Sequence, residues 1–423
     1  VAEALWSAAA CCRFSAASLL AVISARNIIQ ASKLACKKAA ASCRTPKTEV
    51  LMVPKERLMT ALHKGKPDRL PISVHQWQAY HLKYFLNGIS ALEAFQKFGM
   101  DAQIQYFGDV GQSALVDYDF TKFSSAQWHD EVTLVSSDPD NRMTNHAIET
   151  PGGMLTYKTR GDRKTTWITD YMVKRDEDIE LIDKYLPVGK MDLAPVQALY
   201  DEVGDKGILR GFVWGDQGGC WQHACCLMDV TELIMRCMDK PDWVHRLLTI
   251  LLNKKLRFIE SMKGAKFDLV ETGGGAGSST VISPKLHREF CTPYDRKMHD
   301  ALHDLGFLVA YHTCGGTRGI EELIVANGAD ISETLAPMSI GGNQEPWEFK
   351  KKVGNRLAVI GGLDQFNVLT AGPAEKIRET VHTLFEKVGH DGGYVCSVSD
   401  HFFDTPIENL QVMADAAKEC VYN

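Results

Sequence analysis

Residues 307–334 read FLVAYHTCGGTRGIEELIVANGADISET. The run 307–313 is apolar and rich in β-formers, 317–327 carries apolar residues at helical spacing, and 329–334 is again a short strand-like run. Strand, helix and strand in that order form the unit of a parallel sheet. The same alternation continues outward in both directions. Strand candidates are 70–77, 102–108, 207–215, 267–273, 307–313, 329–334, 357–361 and 393–397, eight in all. Amphipathic stretches lie between them, among them 284–304, 317–327, 372–388 and 406–420. Pro373 and Pro406 stand where first-turn prolines belong. Eight strand–helix repeats predict an α/β fold, a (β/α)8 TIM-type barrel. A doubly wound open sheet is the structural alternative.

One region breaks the pattern. Residues 109–205 hold turn chemistry at Asp138-Pro139-Asp140 and Pro151-Gly152-Gly153, with alternating runs at Met154–Thr159 and Thr165–Val173. These predict an antiparallel insertion after the second strand, placed at the top of the barrel. The barrel domain is read as 52–423 with this insertion at about 109–205.

Residues 1–51 are set apart as a non-core N-terminal extension. They carry Arg13, Arg26, Lys33, Lys37, Lys38, Arg44 and Lys47 against Glu3 and Glu49, in an Ala- and Ser-rich context. A transit peptide has this composition. Translated upstream or added sequence, with Met52 opening the body, is a second reading. A helical extension is a third. The body is expected to be cytoplasmic, or organellar if the extension is a true transit peptide.

Composition removes several classes of function. Apolar residues at 45% and charged residues at 24% are those of a globular chain, neither disordered nor collagen-like. A net charge of -6 argues against nucleic acid as a partner. No stretch reaches eighteen uninterrupted apolar residues, so no membrane span is expected. Of the twelve cysteines, four fall in the extension and eight are spaced irregularly, unlike a disulfide framework. Free thiols or metal ligands are expected instead, with Cys225 and Cys226 packing in the core.

Barrel active sites lie at the carboxyl ends of the strands. The fifth run ends in Tyr311-His312-Thr313-Cys314, and the eighth runs through Cys396 into Ser399-Asp400-His401. His312 and Cys314 are two residues apart and share a face of an extended segment. Cys396 is the expected third ligand. One imidazole and two thiolates suit one Zn2+ per chain, and three protein ligands leave a fourth position open, as catalytic zinc sites do. The alternative is two buried cysteines and a satisfied core histidine. Glu271 and Glu333, at the ends of the fourth and sixth strands, are candidate fourth ligands or general bases. Gly273-Gly274-Gly275 permits close backbone approach. Asp400 and His401 are a candidate acid–base pair, or part of a helix entry network with Thr405 as N-cap. His75, Tyr106, Asp216, Gln217 and Asp364 complete the strand-end set as candidate substrate-binding residues.

Several segments are familiar as a set. Arg57-Leu58-Met59-Thr60-Ala61-Leu62, Lys66-Pro67-Asp68-Arg69-Leu70-Pro71, Thr150-Pro151-Gly152-Gly153, Ser283-Pro284 leading to Pro293-Tyr294, and Asp404-Thr405-Pro406-Ile407-Glu408-Asn409 occur in this order. Over roughly 52–420 the chain resembles the uroporphyrinogen decarboxylase superfamily, which implies a (β/α)8 barrel. The superfamily has at least two functional branches. Its decarboxylases clamp a carboxylate-rich tetrapyrrole with an arginine-rich N-terminal motif. The corresponding stretch here, Ser73-Val74-His75-Gln76-Trp77-Gln78-Ala79-Tyr80, has no arginine, although His401 stands where decarboxylases keep a histidine. Its zinc-dependent methyltransferases carry H-x-C and a distant cysteine, which His312, Cys314 and Cys396 match. That branch implies zinc, a cobalamin (corrinoid) cofactor held on a separate corrinoid protein as partner, and a small-molecule methyl donor or thiol acceptor. A tetrapyrrole carboxy-lyase is the alternative, and a non-catalytic ligand-binding barrel is the second. Donor, acceptor, direction of transfer and oligomeric state stay open.

Overall fold

The strands of the computed structural model follow in chain order as β1 (Ala102–Gln105), β2 (His129–Asp138), β3 (Asn141–Thr150), β4 (Gly153–Gly161), β5 (Thr166–Asp170), β6 (Gly207–Phe212), β7 (Leu269–Gly273), β8 (Leu308–His312), β9 (Ile331–Thr334), β10 (Ala358–Leu363) and β11 (Tyr394–Val398). The structure describes residues 51–106, 125–213 and 218–422. Strands β1, β6, β7, β8, β9, β10 and β11 lie side by side in that order, and every pair is parallel. Helices connect them, as a parallel sheet requires.

The sheet has seven strands, not eight. The expected first strand, 70–77, makes a single parallel bridge from Ile72 to Cys396. The Cys396 N–H donates to the Pro71 carbonyl and the Ser73 N–H to the Cys396 carbonyl, both at 2.9 Å. On its other side the Ile72 carbonyl accepts from Asp101 N–H, just before β1. Three residues therefore touch both edges of the sheet. Pro71 has no N–H to extend a ladder.

Both faces of these strands are buried, and the side chains sort by twos. Ile208, Leu269, Ala310, Ile331, Ala358, Ile360 and Val395 pack in one cluster with Leu58, Ala61 and Leu62 of the helix Pro54–Leu62. Their strand neighbours Leu209, Val270, Val309, Val359 and Cys396 belong to the larger core that includes the surrounding helices. Period-two alternation separates the two sets. Two residues beyond Ile208, Leu269, Ala310 and Ile331, on the same face, come Arg210, Glu271, His312 and Glu333. The polar centre thus continues the apolar plug toward the strands' carboxyl ends.

Strands β2 to β5 form a separate antiparallel sheet in sequential order. Pro139-Asp140 and Pro151-Gly152 make its two-residue turns, as the turn chemistry predicted. The expected insertion is present but carries four strands, and its last part folds as the helices Asp178–Tyr185 and Leu193–Val203. Its first residues, 109–124, lie outside the described residues. Among the described residues no helix is long and apolar enough to cross a membrane. All eight described cysteines are free; Cys226 is buried and Cys225 half-buried against the core.

Candidate metal centre

His312 ends β8 with its ring fully buried. Its Nδ1 lies 3.2 Å from Glu271 Oε1 and 3.2 Å from Glu333 Oε1. Both carboxylates are held from behind by one guanidinium: Arg210 Nη2 donates to Glu271 Oε2 at 2.7 Å and to Glu333 Oε2 at 2.5 Å. Arg210 Nη1 also reaches Gln103 Oε1 at 3.4 Å. A buried ion triad is tolerable only when its lone pairs and protons are shared in this way. Burial and neighbouring Glu333 push the Glu271 carboxyl up. Burial also works against ionised Glu333, but Arg210 outweighs it and holds that group low. The pair therefore divides between one readily protonated and one firmly ionised acid.

Ligand atoms of His312, Cys314 and Asp400 all lie within 4.8 Å of one another, with His312 buried and the other two half-buried. Two further groups meet the same spacing: His75, Glu271, His312 and Glu333, and His75, Asp400 and His401. The His75 ring centroid is 5.0 Å from that of His312 and 5.4 Å from that of His401. Burial pushes the His75 pKa down to about 3, so its imidazole is neutral, the form that binds metals. His401 Nε2 is 3.1 Å from Gln76 Oε1, and its Nδ1 is 3.8 Å from Asp400 Oδ1. Burial raises the Asp400 carboxyl, but His401, His312 and His75 together hold it below its ordinary value. Burial, with Asp400 beside it, pushes the Cys314 thiol up despite the opposing His312.

The three glycines after Glu271 make room for the protein itself. Gly273 has φ +92, and a Cβ there would meet the His312 carbonyl at 2.6 Å. A Cβ on Gly275 would stand 2.5 Å from Cys314 Sγ. Only glycine lets this loop lie against the His312–Cys314 segment.

Not every expected site residue joins the group. Cys396 is one step out of phase: Val395 faces the plug, so Cys396 faces the outer core, where its thiol meets Tyr394 and Cys420 and burial pushes its pKa up to about 12. Asp400, a few residues on, is the third residue whose ligand atom lies within 4.8 Å of those of His312 and Cys314. Asp364 is consumed locally, capping the 365–370 turn through Phe366 N–H and Asn367 N–H while accepting from Ser339 Oγ at 2.5 Å. Tyr106 is buried with its ring 6.1 Å from Phe267, in the core outside the strands. Thr405 does not cap the last helix; its hydroxyl pairs with Thr370 Oγ1 at 2.6 Å, and Pro406 holds the N-cap position. Asp216 and Gln217 lie outside the described residues. Arg210, Gln76, Gln103 and Gln105 belong to the centre and were not singled out from sequence. The readable signal was parity: Gln103 and Gln105 alternate, and β1 aligns them with Ile208 and Arg210.

Fold and site together define an α/β protein with a His/Cys/carboxylate cluster at the carboxyl ends of a parallel sheet. The chain belongs to the uroporphyrinogen decarboxylase (URO-D) family, whose family model matches residues 161–420. It is similar to the methylcobamide:CoM methyltransferase MtbA of Methanosarcina mazei, 26% identical over 261 residues, or 60% of this chain and 72% of that protein. It is also similar to the uroporphyrinogen decarboxylase of Hydrogenovibrio crunogenus, 27% identical over 164 residues, or 37% of this chain and 42% of that one. Among solved structures, a methyltransferase from Methanosarcina mazei superposes with a TM-score of 0.60 at 16% identity, covering 87% of this chain and 99% of that chain. The resemblance to the superfamily's methyltransferase branch, drawn from motifs, is borne out. The enzymes named among its relatives fall in both branches.

Proposed function

We propose that the chain is a zinc-dependent methyltransferase that moves a methyl group between a corrinoid protein and a thiol or methoxy compound. The observation that carries this reading is the convergence of His312, Cys314 and Asp400 ligand atoms within 4.8 Å. Imidazole nitrogen, thiolate sulfur and carboxylate oxygen are all zinc donors, and three of them leave one position for a substrate heteroatom. The donor set is N, S and O, not the N, S and S expected from sequence. Zinc bound there supplies Lewis acidity, favouring a thiolate at neutral pH or making an ether oxygen a better leaving group.

The chain's own residues do the rest. Glu271 and Glu333 hold the His312 ring by Nδ1 and so fix its orientation beside Cys314 and Asp400. His401, with Nε2 donating to Gln76 Oε1, keeps Nδ1 to take the thiol proton, and Asp400 faces the cation so formed. The methyl group leaves its donor without the bonding pair, and the acceptor supplies the pair of the new bond. In this reading the 71–73 segment is the eighth stave of a (β/α)8 ring. The corrinoid protein docks over the carboxyl ends of the strands and carries the cobalamin.

The test is the zinc content of the purified chain, prepared without added metal or chelator. About one zinc per chain is expected, lost in Cys314→Ser, together with methyl transfer between methylcobalamin and small thiols. A folded protein without bound metal would remove the proposal, and turnover of uroporphyrinogen by metal-free protein would replace it with decarboxylation.

A further inference from the structure

The geometry points to a second, weaker divalent-cation site beside the first, formed by His75, His401 and a shared Asp400, whose filling takes His401 out of proton transfer. The site stands on its own side chains; its effect on turnover rests on the methyltransferase reading above.

Register brings the three residues together. The 71–73 segment runs parallel to β11 with Ile72 opposite Cys396. His75, three residues on, therefore comes level with Ser399, just before Asp400 and His401. The two segments are fastened to each other on both sides of that level. Before it, backbone hydrogen bonds join Pro71 and Ser73 to Cys396. After it, the Trp77 and Phe402 rings meet edge to face at 5.5 Å, and His81 Nε2 lies 2.8 Å from the Thr405 carbonyl. Ligands carried on segments held in this way need little reordering to bind an ion.

The donors suit a transition-metal ion. Ligand atoms of His75, Asp400 and His401 all lie within 4.8 Å of one another, the same spacing as in the His312, Cys314 and Asp400 group. His401 Nε2 is taken up by Gln76 Oε1 at 3.1 Å, and Nδ1 faces Asp400 Oδ1 at 3.8 Å. A hydrogen bond on one ring nitrogen fixes the other as a metal ligand. Two imidazoles and a carboxylate favour Zn2+, Co2+ or Ni2+ over Mg2+ or Ca2+. Asp400 belongs to both groups and has an oxygen for each ion, the bridging arrangement of two-metal sites. The His75 ring centroid lies 5.0 Å from that of His312 and 5.4 Å from that of His401, so the two ions are close neighbours. The second ion is opposed by the charge of the first and has no thiolate, so it binds at least about tenfold more weakly. The chain as purified holds the first ion, and the second comes from added metal. On His401 Nδ1 it occupies the lone pair that otherwise takes the thiol proton.

Cobalt tells the two sites apart, because one has a sulfur ligand and the other has none. The metal-free full chain is titrated with Co2+, following bound metal by equilibrium dialysis and the sulfur-to-cobalt charge-transfer band. The band is expected to saturate at about one equivalent while binding continues to about two. His401→Gln is expected to bind about one equivalent fewer and to keep the band. Binding that stops with the band overturns the second site and leaves the zinc reading intact. So does a His401→Gln protein that binds as much cobalt as the unaltered chain. Binding without any sulfur band overturns the zinc reading on Cys314, and the two-ion centre with it. In methyl transfer from methylcobalamin to 2-mercaptoethanol, filling the second site is expected to slow the reaction at least about tenfold. An unchanged rate overturns the blocking of His401, whereas no transfer at one equivalent overturns the methyltransferase reading instead.

Discussion

His312 Nδ1 lies 3.2 Å from Glu333 Oε1, and both side chains are buried. A carboxylate at that distance fixes the imidazole's tautomer and orientation and raises its basicity. Glu333→Gln keeps the shape but loses the charge. It is expected to weaken zinc or cobalt binding about 10- to 100-fold, the usual cost of losing such a partner. Competition against a chromophoric chelator measures this. Unchanged affinity would mean that Glu333 serves only to neutralise Arg210.

Most of this centre was legible from strand ends alone. His312 and Cys314, Glu271, Glu333, Asp400 and His401 were all read as site residues, and the structure gathers them. The errors have a common cause. Alternation decides which face a side chain takes, and a one-residue change of phase reverses it. Cys396 fitted the distant-cysteine motif but shares its face with Tyr394 and Val398, not with Val395. The same rule, applied to AQIQ and GILRGF, would have brought Gln103, Gln105 and Arg210 inward. The eighth strand failed for another reason: 70–77 is apolar enough, but its pairing is confined to 71–73 beside Pro71.

Arg210 is the countercharge of two buried acids, so its removal is expected to be costly. Arg210→Met leaves Glu271 and Glu333 facing each other without a cation, and breaking a buried ion group costs about 3–5 kcal/mol. Adding Glu271→Gln and Glu333→Gln to Arg210→Met is expected to recover most of the loss, because the residual charge goes too. Urea unfolding of the three proteins checks this. A triple variant no more stable than Arg210→Met would show that the guanidinium's packing, not its charge, is what matters.

The phase of β11 makes opposite predictions for two cysteines. Cys314→Ser and Asp400→Asn are expected to lose bound metal. Cys396→Ser is expected to keep it, while costing about 1–3 kcal/mol because a hydroxyl replaces a thiol in the apolar outer core. Metal content and thermal unfolding on the same preparations separate the two effects. Loss of metal from Cys396→Ser would mean that β11 shifts register when the ion binds.

Asp295 gives the protein a pH dependence that has no connection with the metal. It is buried behind β8, accepts from Tyr311 Oη at 2.9 Å, and burial pushes its pKa from an ordinary 3.8 to about 7. The folded state therefore holds a proton between about pH 4 and pH 7 that the unfolded chain has released. Stability from this group is greatest below pH 4 and falls as pH rises to 7, by up to about 4 kcal/mol. Asp295→Asn accepts the same hydrogen bond and cannot ionise. Its stability relative to the unaltered chain is expected to improve by about 2–3 kcal/mol between pH 5 and pH 8, measured by urea unfolding at each pH. A difference that stays constant across that range would mean that Lys255, whose charge opposes the shift, or a rearranged Tyr311 keeps the carboxylate ionised in the fold.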